Sequence, residues 1–366
     1  MKDELHVIFG TGPLGKSAAR ELVRLGKRVR MLNRSGKVSG LPAAVEVVAG
    51  DAYDLQRNIE LTRDASVVYQ CAQPLYYEWA EKFPAFQAAI LGAVEKNGAK
   101  LVVADNLYMY GDTHGVPISE DMPYQPHTKK GKVRAELAEA VMSAHTAGKI
   151  RATIGRASNF FGPEDHAVTD LAIRPALLGK TINLIGRMDQ AHTFSYVVDF
   201  GKLLATLGTH DEAFGQIWFT PSPAPVTQAE FVKLLEAELG KPVKVLLGGA
   251  MMMRFLGLFN PMIRESVEMM YEWTQPFVVD TSKAEKVFGL KATPLSQAIK
   301  ETVAWLREES AMKNPYSGKS SENISHNRPR KWPYFGMMTA DMALISIKSP
   351  TSRKFVFQKG TFSAGS

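Results

Sequence analysis

Gly10-Thr11-Gly12-Pro13-Leu14-Gly15 is the stretch on which the fold of this 366-residue chain turns. Its Gly-x-Gly-x-x-Gly spacing follows an apolar run at 6–9 and precedes a segment, 14–25, whose apolar residues recur at helical period. In that context each glycine has a task. The first permits a tight turn, the second lets backbone approach a pyrophosphate, and the third allows close helix–strand packing, with the helix N-terminus facing the phosphates. Gly26 ends the helix and 28–32 reads as a second strand, so the chain opens with a βαβ unit.

Outward from that unit the rhythm continues. Strands are predicted at 45–48, 66–70 and 100–104, with a long helix at 83–95 that ends near Gly98. After a loop carrying Pro117, Pro123 and Pro126 come a helix at 128–147 and a strand at 151–155. The alternation predicts an α/β protein with a doubly wound parallel sheet, a Rossmann fold, whose ligand crevice lies beyond the C-terminal ends of the strands. Later segments at 227–239, 262–271 and 295–307 read as helices of a smaller lobe. The expected organisation is a dinucleotide-binding domain over 1–165 and a substrate-binding lobe over 166–310, some segments of which return to the sheet. A basic, flexible tail is expected over 311–366. Residues 245–262 are interrupted by Arg254, Gly257 and Asn260 and are read as a buried lid helix over the pocket, with a membrane-surface helix as the lesser alternative.

The net charge of +7 suggests an anionic partner until it is divided along the chain. Residues 311–366 hold nine Lys or Arg against Glu322 and Asp341, and so carry the whole surplus. Neither nucleic acid nor membrane is expected as a partner; a small-molecule substrate is. Cys71 is the single cysteine, and Met1 leads directly into a strand pattern, which points to the cytoplasm. His114, His127 and His192 lack metal-ligand spacing, so no metal site is expected.

Where an NAD site carries an acidic residue for the adenosine ribose, about 20 positions after the glycines, this chain has Asn33-Arg34-Ser35, with Lys37 close behind. A carboxylate there would repel a 2′-phosphate, whereas Arg34 offers a planar, charge-assisted clamp and Ser35 a hydroxyl. The reading is NADP(H) in preference to NAD(H).

From Val7 to about Arg307 the order of motifs resembles the extended and atypical short-chain dehydrogenase/reductases, the superfamily of NAD-dependent epimerases and dehydratases. Gly50-Asp51-Ala52 is similar to the family's adenine-contacting step, and Cys71-Ala72-Gln73 to its strand-end loop beside the cofactor. Tyr110-Gly111 is similar to the Tyr-Gly after the fifth strand. Arg156-Ala157-Ser158-Asn159 with Gly162-Pro163 resembles the loop near the nicotinamide, and Asp280-Thr281-Ser282-Lys283 the closing segment. The resemblance implies a cofactor site of Gly10, Thr11, Gly12, Pro13, Leu14, Gly15, Asn33, Arg34, Ser35, Asp51, Ala52, Ala72, Gln73, Lys132, Ser158 and Asn159. It also implies a catalytic Tyr-x-x-x-Lys, in which Lys holds the ribose and lowers the Tyr pKa. Here Lys132 keeps its place, Thr128 stands where the tyrosine belongs, and Asn106 replaces the family's Ser or Thr. A threonine hydroxyl holds its proton too tightly to imitate that phenol.

Catalysis is therefore assigned to Lys132, with Asn106 orienting substrate and Thr128 as the remaining hydroxyl. Tyr108, Tyr110 and Tyr124 read as packing residues, with replacement acids as the alternative; Glu164-Asp165-His166 reads as a solvated turn. Three functions follow: an NADP(H)-dependent oxidoreductase acting on a small carbonyl or conjugated substrate, a sugar-nucleotide epimerase or dehydratase, and a non-catalytic NADP(H)-binding redox sensor. The helices at 83–95 and 128–147 match in position the pair through which the family forms dimers, which favours a homodimer.

Overall fold

The computed structural model describes residues 4–313; the tail expected over 311–366 lies, but for its first three residues, outside them. Seven strands form the central sheet: β1 (Leu5–Phe9), β2 (Arg28–Asn33), β3 (Val45–Ala49), β4 (Ala65–Gln70), β5 (Lys100–Asp105), β6 (Arg151–Arg156) and β7 (Ile217–Phe219), in the order β7-β6-β5-β4-β1-β2-β3. Every pairing is parallel. The order reverses between β1 and β4, and ligands of open α/β sheets bind at such a switch point. All five residues of β1 are buried, as a central strand covered on both faces requires.

Helices α1 (Pro13–Arg24), α2 (Leu55–Leu61), α3 (Trp79–Asn97), α4 (Lys129–Thr146) and α5 (Val197–Thr209) surround the sheet. One face is sealed by α3 and α4, through Phe83, Phe86, Ile90, Val94, Leu137 and Val141. On the other, α1 lies against α5, burying Leu14, Ala18, Ala19 and Leu22 with Phe200, Leu203 and Leu204. Gly201 makes that approach feasible, since a Cβ there would stand 2.1 Å from Ser17 Oγ. A separate core gathers Phe161, Ile182, Phe194, Phe231, Leu235, Ile299 and Val303, with helices Gln228–Leu239 and Leu295–Lys313 around it.

Residues 245–262 depart from the expected buried helix. Val245–Gly248 pairs in parallel with Ile182–Ile185, and helix Ala250–Gly257 starts only after Gly248-Gly249. The physical reason is the β-prone run Val245-Leu246-Leu247, which pairs with a strand otherwise without a neighbour. Met251, Leu258 and Phe259 stand at 85%, 74% and 73% exposure, so the outer face covers nothing. No helix among the described residues is long and apolar enough to cross a membrane.

Candidate active site

The glycine loop is a backbone cradle. Gly10 adopts φ +113°, and a Cβ on it would lie 2.9 Å from Ala72 Cβ; a Cβ on Gly15 would lie 2.2 Å from the Gly10 carbonyl oxygen. Gly12 differs: a Cβ there would meet nothing within 4 Å. Gly12 also caps α1 without any side-chain hydrogen bond, Pro13 follows it at the first helical position, and the first turn carries no acid. Two glycines thus serve internal packing and the middle one faces open space at a helix N-terminus. That is the shape and polarity a dinucleotide pyrophosphate fits.

At the end of β2, Asn33 organises the next loop. Its amide donates to Thr11 Oγ1 at 2.9 Å and to the Lys37 carbonyl at 3.0 Å, while its carbonyl accepts the amides of Ser35 and Gly36 at 3.0 and 2.7 Å. Arg34 projects exposed from this turn. Asp51 is exposed, its carboxylate accepting the Tyr53 amide, and Ala52 is held by Asn58.

Beyond the ends of β5 and β6 lies a buried ionic group that the sequence did not disclose. Asp105 accepts from Arg134 Nη1 at 3.0 Å and from Arg156 Nε at 3.2 Å. Arg134 also donates to Gln73 Oε1 and stacks its guanidinium 4.0 Å from the Trp79 ring. Arg156, wholly buried, donates to the hydroxyls of Tyr110 at 2.6 Å and Tyr124 at 2.7 Å. Those two phenols are thereby committed to structure. The group joins the strand ends to α4, and no local pattern could have signalled it because its members lie tens of residues apart.

The residues expected to catalyse are spread over the start of α4 and the β5 loop. Thr128 is the N-cap of α4: it is buried, and its hydroxyl accepts the Gly131 amide at 3.0 Å. Lys132 is exposed, one turn further on. Asn106 is half-buried and accepts the Tyr108 amide at 3.2 Å. Ser158 is buried with its hydroxyl unpartnered, next to Asn159. The 164–166 loop is no solvated turn: Glu164 reaches Lys16 at 3.0 Å and Arg20 at 3.1 Å on α1, and Asp165, buried, accepts the amides of Ala167 and Thr169. Burial pushes Asp165 up to about 6.

Against the start of α4 lies a helical run, Pro261–Ser266 through Val267–Met269 to Tyr271–Thr274. Glu265 pairs with the buried Lys130 at 2.8 Å, and Glu268 accepts the amides of Lys129 and Lys130 at 2.9 and 3.1 Å. Glu272, 2% exposed, is reached by Asn159 Nδ2 at 3.4 Å. Its second oxygen, and the neighbouring Tyr271 hydroxyl, are buried without a partner. Burial alone pushes Glu272 up to about 8. Burial raises the phenols of Tyr76 and Tyr108 well above their ordinary value. Among the described residues no group of three or more His, Cys, Asp or Glu is arranged to hold a metal ion.

A family model described as the NAD dependent epimerase/dehydratase family matches residues 7–218. A UDP-glucose 4-epimerase from Corynebacterium glutamicum is 29% identical over 171 residues, 43% of this chain and 52% of that protein. The chain thus spans about half the length of this curated relative. Among solved structures, a UDP-glucose 4-epimerase with UDP-glucose from Thermotoga maritima superposes with a TM-score of 0.69 at 17% identity, covering 84% of this chain and 99% of that one. A dTDP-glucose 4,6-dehydratase from Streptomyces venezuelae with NAD bound gives 0.68 at 17% identity, covering 85% and 99%. At such identities the likeness is one of fold.

Proposed function

We infer the activity from one premise: this chain belongs to the NAD dependent epimerase/dehydratase family. The reading supported best is a nicotinamide-dependent reaction at a hydroxyl-bearing carbon of a nucleotide-linked sugar, of epimerase or dehydratase type. Residues 1–165 hold the dinucleotide and 166–310 the substrate. The observation that carries it is the cradle at the switch point of the sheet, open only at Gly12 before the uncapped N-terminus of α1. The bound dinucleotide supplies a hydride acceptor. Around it, Lys132 holds the ribose, Asn106 orients the substrate, and Ala72, Gln73, Ser158 and Asn159 line the nicotinamide side. Thr128, whose hydroxyl caps α4, contributes position rather than a proton.

A second reading, an NADP(H)-dependent reductase of small carbonyls, draws on the Asn33-Arg34-Ser35 turn, where no carboxylate stands to repel a 2′-phosphate. The same turn supports NADP(H) over NAD(H) under either reading. Incubation with UDP-glucose or dTDP-glucose plus each dinucleotide, with the sugar followed by NMR, separates them. An altered sugar with no net change in cofactor supports the first reading; net NADPH consumption on a carbonyl supports the second. Tight dinucleotide binding with neither leaves a redox sensor. A homodimer through α3 and α4 is proposed with it, and light scattering that shows a monomer at high concentration rejects that assembly.

A further inference from the structure

The helical run over 261–274 carries three carboxylates, at positions 265, 268 and 272, and they are not equivalent. Glu265 is neutralised by Lys130, and Glu268 is spent on the first two amides of α4. Those contacts fix the run against the helix start where the family's tyrosine stands. One turn past Glu268, Glu272 reaches the other motif of the site, Asn159 on the nicotinamide-side loop, and keeps one buried oxygen with no partner. Ser158 Oγ beside it is likewise buried and unpartnered. The Glu272 carboxyl is therefore held by Asn159 alone, on a run that Glu265 and Glu268 fix against the start of α4, and has one oxygen unused.

We propose that Glu272 is the proton-transfer residue of this site, filling the role left open by threonine at position 128. The inference rests on the sugar-nucleotide reading above. As the substrate carbon gives up its hydrogen with the bonding pair to the oxidised nicotinamide, its hydroxyl proton passes to the free carboxylate oxygen and a carbon–oxygen double bond forms. The return of hydride takes the same proton back. Atoms and charge balance, and the only oxidant is the dinucleotide. The groups facing Glu272 add no cation that would hold it ionised. Tyr76, Tyr108 and Tyr271 are neutral phenols, and burial pulls His192, whose Nδ1 meets the Glu272 carbonyl, down to about 4. A carboxyl so placed holds its proton more tightly than an ordinary one, and its deprotonated form is the one that accepts from the substrate.

The sign of the accompanying stability effect is fixed. With a folded-state value of about 8 against an ordinary 4.5, the folded chain binds the extra proton between those limits. The resulting stability is complete below the lower value and lost as pH rises through the upper one.

The test uses the full chain and Glu272→Gln, which keeps the shape and the Asn159 contact of the protonated acid. Turnover of UDP-glucose should fall by on the order of a hundredfold or more, with dinucleotide affinity retained. Melting temperature should decline more steeply from about pH 5 to about pH 9 in the natural chain than in the variant, the difference isolating Glu272 from Asp165 and His192, which titrate in both. Glu272→Asp, which keeps a carboxyl on a shorter arm, should keep the decline and part of the turnover. Turnover that survives Glu272→Gln, or identical pH profiles in the two proteins, overturns the assignment alone. A natural chain that converts no sugar nucleotide overturns the function it rests on, and the assignment with it.

Discussion

The glycine loop after β1 and the polar cluster at the ends of β5 and β6 are built from different materials. At the first, Gly10 and Gly15 allow close packing within six consecutive residues, and Gly12 between them faces open space. At the second, Asp105, Arg134, Arg156, Asn159 and Glu272 come from four separate elements and the loop after β6, and what matters is which polar atom is already engaged. Backbone cradles tolerate almost no added atom, whereas side-chain clusters fail by leaving a buried charge without its counterpart.

The sharpest way to break this comparison is Gly15→Ala. Its Cβ would meet the Gly10 carbonyl oxygen at 2.2 Å, backbone that cannot step aside without opening the β1 turn. The expected loss is about 5 kcal/mol or more, enough to leave little folded protein. Gly12→Ala is the matched control, since nothing lies within 4 Å: the melting temperature should hold while dinucleotide affinity falls. Thermal melts of both variants with a fluorescence titration of NADPH decide it. Equal destabilisation by the two substitutions would show that the glycines share one structural task.

Next in size is Asp105→Ala. It strands two buried guanidiniums, and breaking a buried ionic group by removing one partner costs about 3–5 kcal/mol. Urea denaturation measures the loss directly. Arg134→Met should cost less, because Asp105 keeps Arg156 and the methionine can fill the space beside Trp79 and Phe83.

The same contrast explains what could be read in advance. The glycine loop, strand alternation and helix ends are local signals, so the doubly wound sheet was legible from residues a few positions apart. The motif order extended that to the family. The role of Asp105 was not legible, because a single aspartate at a strand end carries no sign of two arginines 29 and 51 positions away. Nor was Glu272, which lies just past the helix read over 262–271 and looks like one more acid until Glu265 and Glu268 are seen to be spent while one of its own oxygens has no partner. The 245–262 segment misled for a related reason: its composition fits helix or strand, and the choice was made by the partner strand Ile182–Ile185.

A smaller effect belongs to the turn after β2. Arg34 stands exposed on a turn fixed by Asn33, and Arg34→Ala should remove most of any preference for NADPH over NADH. The loss of one charge-assisted contact is about 1.5–3 kcal/mol, roughly ten- to a hundredfold in affinity. Isothermal titration with both reduced dinucleotides checks it. Equal affinities in the natural chain would remove the 2′-phosphate from the role of this turn.

Thr128 gives the finest test, since a structural and a chemical role compete for its one hydroxyl. Its hydroxyl accepts the Gly131 amide, while the Glu268 carboxylate already holds the amides of Lys129 and Lys130. Removing the hydroxyl with Thr128→Val therefore frees one helix-terminal donor out of three and keeps the volume. The expected cost is about 1 kcal/mol, in the range of a lost N-cap. Thr128→Ser, which retains the acceptor, should cost less than half of that. Urea denaturation curves rank the three proteins, and kinetics on the folded fraction supply the second axis. If the hydroxyl only caps α4, turnover of the valine variant follows its stability. A valine variant that folds normally but loses turnover as deeply as Glu272→Gln would return Thr128 to the chemistry and make the carboxyl its partner rather than its replacement.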